Sequence, residues 1–176
     1  MFFHHTLPIF LYFCGALLIK IGMTARLQMV FGLLLILLGG LIYISFRPTS
    51  LLLFQTLDRM GLMLLVADWR VWVAAFRPSD FVLYSLPGGL WAAAYILIVL
   101  SLLNSAPTGL RLTVACSIPL AGIVSELMQG WGMLPGVFDL TDLVCYTLPM
   151  LLLIIYETIK KYRLWLIFST ASQASN

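Results

Sequence analysis

The chain has 176 residues, 62% of them hydrophobic and 10% charged, with a mean hydropathy of +1.04. A soluble domain needs roughly a quarter of its residues charged to cover its surface, so water is not the main solvent of this chain. The net charge of +3 comes from scattered Lys and Arg, not from the clustered cations with interleaved aromatics that mark a nucleic-acid footprint, and nucleic acid is excluded as a partner.

Several separate stretches approach the ~20 apolar residues needed to cross hydrocarbon. The expectation is therefore an all-α fold: a single polytopic transmembrane helical bundle of about five spans, with interfacial or re-entrant short helices at 50–77. The first span covers about 7–23. A cleavable signal peptide does not fit there, because His4 and His5 stand where Lys or Arg would lead and no small-x-small cleavage site follows. Lys20 reaches the headgroups by snorkelling, and with Arg26 it marks one interface. The adjacent His4-His5 pair is a poor metal ligand, since neighbouring residues on a terminal segment rarely point at one ion.

The second span, 27–46, carries no charge and ends near Tyr43 and Phe46, aromatic residues that favour an interface. Gly39 and Gly40 would admit a close helix neighbour. From Arg47 to Asp80 the pattern changes, with Asp58, Arg59, Asp68, Arg70 and Arg77 dividing the apolar stretches. A helix crossing at 60–76 would bear Asp68 and Arg70, each costing about 2.5–3.5 kcal/mol at mid-bilayer. Short interfacial or re-entrant helices cost less, and Leu62, Leu65, Trp69 and Trp72 fall near helical spacing with tryptophans suited to headgroup depth.

The third span, 81–103, contains Pro87-Gly88-Gly89, where a missing amide donor predicts a kink. Tyr84, Trp91 and Tyr95 near that break either line a lipid-accessible groove or pack and anchor the helix. Residues 104–109 read as a tight turn, followed by the fourth span, 110–128, with Pro119 inside it. A Gly/Pro-rich loop at 130–136 leads to the fifth span, 140–159, which exits into Lys160, Lys161 and Arg163; the small polar tail at 169–176 is expected to be disordered. Cys14, Cys116 and Cys145 lie in apolar stretches without CxxC or Cys/His spacing and read as packing residues, so neither a metal nor another cofactor is implied. Positive residues in the loops place the end with Lys20, Arg26, Arg111 and Lys160 in the cytoplasm, the amino terminus outside and the carboxy terminus inside.

Chemistry concentrates at Glu126-Leu127-Met128-Gln129 and Asp139-Leu140-Thr141-Asp142. Each pair is spaced i,i+3, so its two side chains share a helix face, and the expectation is that three carboxylates converge across one loop. Like charges in a low dielectric favour proton exchange or cation binding, and ionisable groups near a bilayer are functional candidates. Glu126 is the candidate catalytic group, with Arg47, Asp80, Gln129, Asp139 and Asp142 as candidate binding residues. A structural alternative stands beside each. Asp139 as N-cap and Asp142 at the third helical position suit the start of the fifth span, and Asp80 suits the N-cap of the third. Glu126 near the end of a helix opposes the helix dipole and would pair structurally with Arg47, Arg59, Arg70 or Arg77.

Glu126-x-x-Gln129, a Pro-Gly turn and Phe138-Asp139-x-x-Asp142 entering a last hydrophobic helix resemble the signature of VanZ-like membrane proteins over the last third of the chain. Arg47-Pro48 and Tyr84-Ser85-Leu86-Pro87-x-Gly89-Leu90-Trp91 resemble small bacterial membrane proteins sharing that pattern. Cys145-Tyr146 and Pro149 stand where the family usually has Asn and small residues. The resemblance implies a bacterial inner-membrane location and a cell-envelope role linked to glycopeptide antibiotic resistance, with membrane lipids, a lipid-linked envelope component or a membrane protein as partner. Two other readings accompany it: a membrane-embedded enzyme acting on a lipid-linked substrate with Glu126 as general acid or base, and a structural subunit without a site, docking through Gly39-Gly40.

Overall fold

The computed structural model describes residues 24–174, and every regular element among them is helical. The expected first span, with Lys20 and His4-His5, lies outside the described residues. Among the described residues four helices are long and apolar enough to cross a membrane.

Helix α1 (Ala25–Phe46) has no charged residue after Arg26. It stops at Arg47, whose ψ of 153° is extended, because Pro48 disfavours a helical conformation in the residue before it. Two short helices follow, α2 (Leu52–Arg59) and α3 (Met63–Val73), of 8 and 11 residues. At ~1.5 Å per residue neither crosses a bilayer, in keeping with the charges that interrupt this stretch. Gly61 links them at φ +70°: its N–H donates to the Asp58 carbonyl and the Leu62 N–H to the Leu57 carbonyl, the paired bonds of a Schellman end.

The short helices wrap the last turn of α1. Trp69 Nε1 donates to Ser45 Oγ at 2.8 Å, Arg70 Nε donates to the Ser45 carbonyl at 3.1 Å, and Arg70 also donates to the Arg47 carbonyl. Those carbonyls have no partner within their own helix, and a cation at a helix C-terminus suits the dipole. Arg70 is therefore accommodated as a cap on α1. The outer side of α3 keeps Leu64, Val71 and Trp72 at least 76% exposed.

A single π-helical turn, Phe81–Ser85, opens the next span and runs directly into α4 (Leu86–Leu102). The Leu86 N–H reaches the Phe81 carbonyl, and Pro87 has no N–H to continue the ordinary ladder. The irregularity thus falls just before Pro87-Gly88-Gly89, not within it. Helix α5 (Thr108–Gly130) and α6 (Leu140–Ala174) complete the bundle. The expected disordered tail is helical through Ala174: Ser, Ala and Gln oppose a helix only weakly, and each added residue extends a ladder already nucleated.

Successive long helices α1, α4, α5 and α6 alternate in direction. Ser101 Oγ donates to the Ala25 carbonyl at 2.7 Å, and Tyr95 OH donates to the Val114 carbonyl at 3.1 Å. Helix α4 is the hub: 61% of its spanning window is buried, against 22% for each of the other three, and it packs on α1, α5 and α6. That explains its nearly all-apolar sequence. On α1, Gly32, Leu35 and Gly39 share one face and bring the backbone close to α4, Gly39 lying against the Trp91 indole and Gly32 against Ile98. Gly40 meets none of the described residues within 4 Å of a Cβ placed there. The expected Gly39-Gly40 docking surface is therefore split, because consecutive helical residues point about 100° apart and Gly39 is used inside the bundle.

Candidate functional site

The C-terminus of α1, the π turn, the C-terminus of α5 and the N-terminus of α6 meet at one end of the bundle. Helix α5 closes with a second Schellman end: Gly132 at φ +70° donates to the Gln129 carbonyl, and the Met133 N–H donates to the Met128 carbonyl at 2.8 Å. This turn reverses the chain and delivers Asp139 to the side of Glu126.

Glu126 is 6% exposed, and its Oε2 accepts the Asp139 N–H at 3.3 Å. The folded-back loop resolves the dipole mismatch at the end of α5 by setting the carboxylate at the positive N-terminus of α6. Among the described residues Glu126 forms no ion pair, so the structural pairing with Arg47, Arg59, Arg70 or Arg77 is not found. Its electrostatic neighbours are Asp142 and Asp139.

Asp139 caps α6. Its Oδ1 accepts the Thr141 N–H at 2.8 Å and the Thr141 hydroxyl at 2.5 Å. That hydroxyl also lies 2.8 Å from Ser85 Oγ, which fastens the π turn to the start of α6. Asp142, in the first turn of α6, behaves differently: the Ser85 hydroxyl is a hydrogen-bonding neighbour of its carboxylate and Asp139 and Arg47 are its charged neighbours, yet its Oδ1 is buried and has no hydrogen-bond partner among the described residues. Arg47 is half-buried, with its guanidinium over the rings of Tyr43 and Tyr84 at 5.4 and 5.0 Å.

Two candidates stand apart from this cluster. Gln129 Nε2 donates to Ser125 Oγ at 3.4 Å, and its side chain lies against Gly136, whose φ of 142° and lack of Cβ leave the necessary room. It supports the loop and makes no bond to Glu126. Asp80 is exposed, has helical φ and ψ of −54° and −37°, and makes no capping bond. The Ser79 carbonyl already accepts the Leu83 N–H, so Asp80 lies inside the first turn and the cap assignment is corrected.

Tyr146 was not among the candidates from sequence. One turn beyond Asp142, it has Asp142 and Glu126 as electrostatic neighbours. Its ring fills the space that the missing Cβ of Gly122 leaves on α5, and its hydroxyl lies against Gly88 on α4. The signal was present as an aromatic at i+4 from Asp142 opposite glycines on two other spans, but it required knowledge of which helices face each other. Trp91 and Tyr95 are packed at helix contacts, whereas Tyr84 stays 53% exposed.

At the far end, Arg111 and Glu157 form a buried ion pair between α5 and α6. Arg111 therefore belongs to the interior, not to the loop in which its charge was counted. Among the described residues no group of three or more His, Cys, Asp or Glu side chains is placed to hold a metal ion. The site is a set of proton-bearing and charged groups at a helix junction, suited to hydrogen bonding, proton exchange or recognition of a charged headgroup. No family model, curated protein or solved structure matches the chain.

Proposed function

We propose that this chain is a VanZ-like protein of the bacterial cytoplasmic membrane with a cell-envelope role linked to glycopeptide resistance. It crosses the membrane about five times, with the amino terminus outside and the carboxy terminus in the cytoplasm, and binds a lipid-linked envelope component at its outer end. The observation that carries this reading is the placement of Glu126, 94% buried by its 6% exposure, beside Asp139 and Asp142 at the junction of two apolar helices. A carboxylate kept there at a desolvation cost is a functional group by default. Arg26 and Lys160 lie at the opposite end, which suits a cytoplasmic assignment for it.

Glu126→Gln tests the proposal in a deletion strain scored for teicoplanin and envelope-stress sensitivity together with protein abundance. Loss of complementation at normal abundance is expected; full complementation would sink the role of Glu126. The enzymatic reading draws its support from Tyr146, an electrostatic neighbour of both Asp142 and Glu126, as a further proton-bearing group at this end of the bundle. It requires turnover of a lipid-linked substrate by the purified protein, abolished by the same substitution.

A further inference from the structure

At the acidic end of the bundle, Arg47 and Asp142 both have hydrogen-bonding capacity to spare. Arg47 directly follows the last turn of α1, a helix long and apolar enough to cross a membrane. The Tyr43 and Tyr84 rings attract its guanidinium through their π faces. Neither ring engages the N–H groups on the guanidinium edge, a planar fork that matches phosphate oxygens. Among the described residues no carboxylate forms an ion pair with it; Asp142 is within electrostatic reach but beyond ion-pair distance.

Asp142 presents the complementary half. Ser85 is a hydrogen-bonding neighbour of its carboxylate, but among the described residues its buried Oδ1 lacks a donor, a standing cost to the fold unless a donor arrives from outside. Asp139 adds negative charge around both Glu126 and Asp142, and Arg47 adds positive charge near Asp142. A simple anion would meet the carboxylates, and a simple cation would meet Arg47. A headgroup with both charges a few atoms apart avoids both conflicts.

Resting on the lipid-binding reading above, we propose that this end of the bundle binds a lipid headgroup in which a phosphate lies next to a primary ammonium. The phosphate takes the Arg47 fork between Tyr43 and Tyr84, and an ammonium N–H donates to Asp142 Oδ1. A choline head has no N–H to give, and a glycerol head has no positive charge. The source is a lipid because Arg47 stands at the end of a helix long and apolar enough to span and the Tyr84 ring under its guanidinium is exposed.

Native mass spectrometry of the full-length protein in mild detergent tests this with equimolar phosphatidylethanolamine, phosphatidylglycerol and phosphatidylcholine of identical acyl chains. Phosphatidylethanolamine should be retained about tenfold over each of the others, the discrimination of one charge-assisted hydrogen bond. Stepwise N-methylation of that lipid should erode its retention, a measurement on wild-type protein that needs no variant to fold. Asp142→Asn should reduce phosphatidylethanolamine to the level of phosphatidylglycerol, and Arg47→Gln should lower both. Equal retention of the three lipids, indifference to N-methylation, or an Asp142→Asn protein that keeps the preference overturns the headgroup assignment. Displacement of the lipid by equimolar soluble glycerophosphoethanolamine overturns the lipid source. The broader reading fails separately, through complementation by Glu126→Gln.

Discussion

The carboxylate of Asp139 accepts both bonds that Thr141 offers, from its amide and from its hydroxyl. Removing this cap by Asp139→Ala should destabilise the protein by about 1 kcal/mol, read as a lowered thermal midpoint in detergent, whereas Asp139→Asn should retain most of it. Normal envelope function in Asp139→Asn would identify this residue as a cap; loss of function with an unchanged midpoint would make it a site residue. The cap was legible in the sequence because its chemistry is local, involving an acid two residues before the amide it binds. Asp142 was not legible in the same way. Whether its carboxylate finds a donor depends on Ser85 and Arg47, which reach it from other segments.

Helical elements were readable wherever their cause lay in their own residues. The charges between Arg47 and Asp80 forecast short helices, and Gly61 and Gly132 end α2 and α5 through conformations that other residues adopt only with strain. The π turn lay beyond such reading, since Pro87 announces a disturbance but not how the preceding turn absorbs it. Glycines show the same division. A Cβ on Gly122 would lie 2.8 Å from the Tyr146 ring, while one on Gly40 would meet nothing among the described residues within 4 Å. Gly122→Ala should therefore cost about 1–3 kcal/mol through overpacking and displace Tyr146 from Asp142 and Glu126. Gly40→Ala should leave the thermal midpoint unchanged or raise it, and equal effects of the two substitutions would contradict the packing described.

For the whole molecule, the alternating helices place the 47–51 and 131–139 loops at one end and the 103–107 turn at the other. In a background without native cysteines, Thr49→Cys and Val137→Cys should react with a membrane-impermeant maleimide on intact cells. Ser105→Cys should react only after permeabilisation. The reverse pattern would invert the proposed orientation, and labelling of Thr49→Cys and Val137→Cys on different sides would contradict the fold.

By itself the sequence determined that the chain is a helical bundle suited to a membrane, where its short helices fall, and that one loop joins the segment of Glu126 to that of Asp139 and Asp142. Hydropathy, prolines, glycines and caps act over a few residues and are written in order along the chain. Only the tertiary structure decided that Arg111 is neutralised by Glu157, that Arg70 caps α1, that Tyr146 joins the acidic end, and that Asp142 has a buried oxygen with no partner among the described residues. A charge in a low-dielectric interior is governed by the groups that enclose it. Those groups come from helices distant in sequence, so the same carboxylate spacing is compatible with a cap, an ion pair or a site until the helices pack.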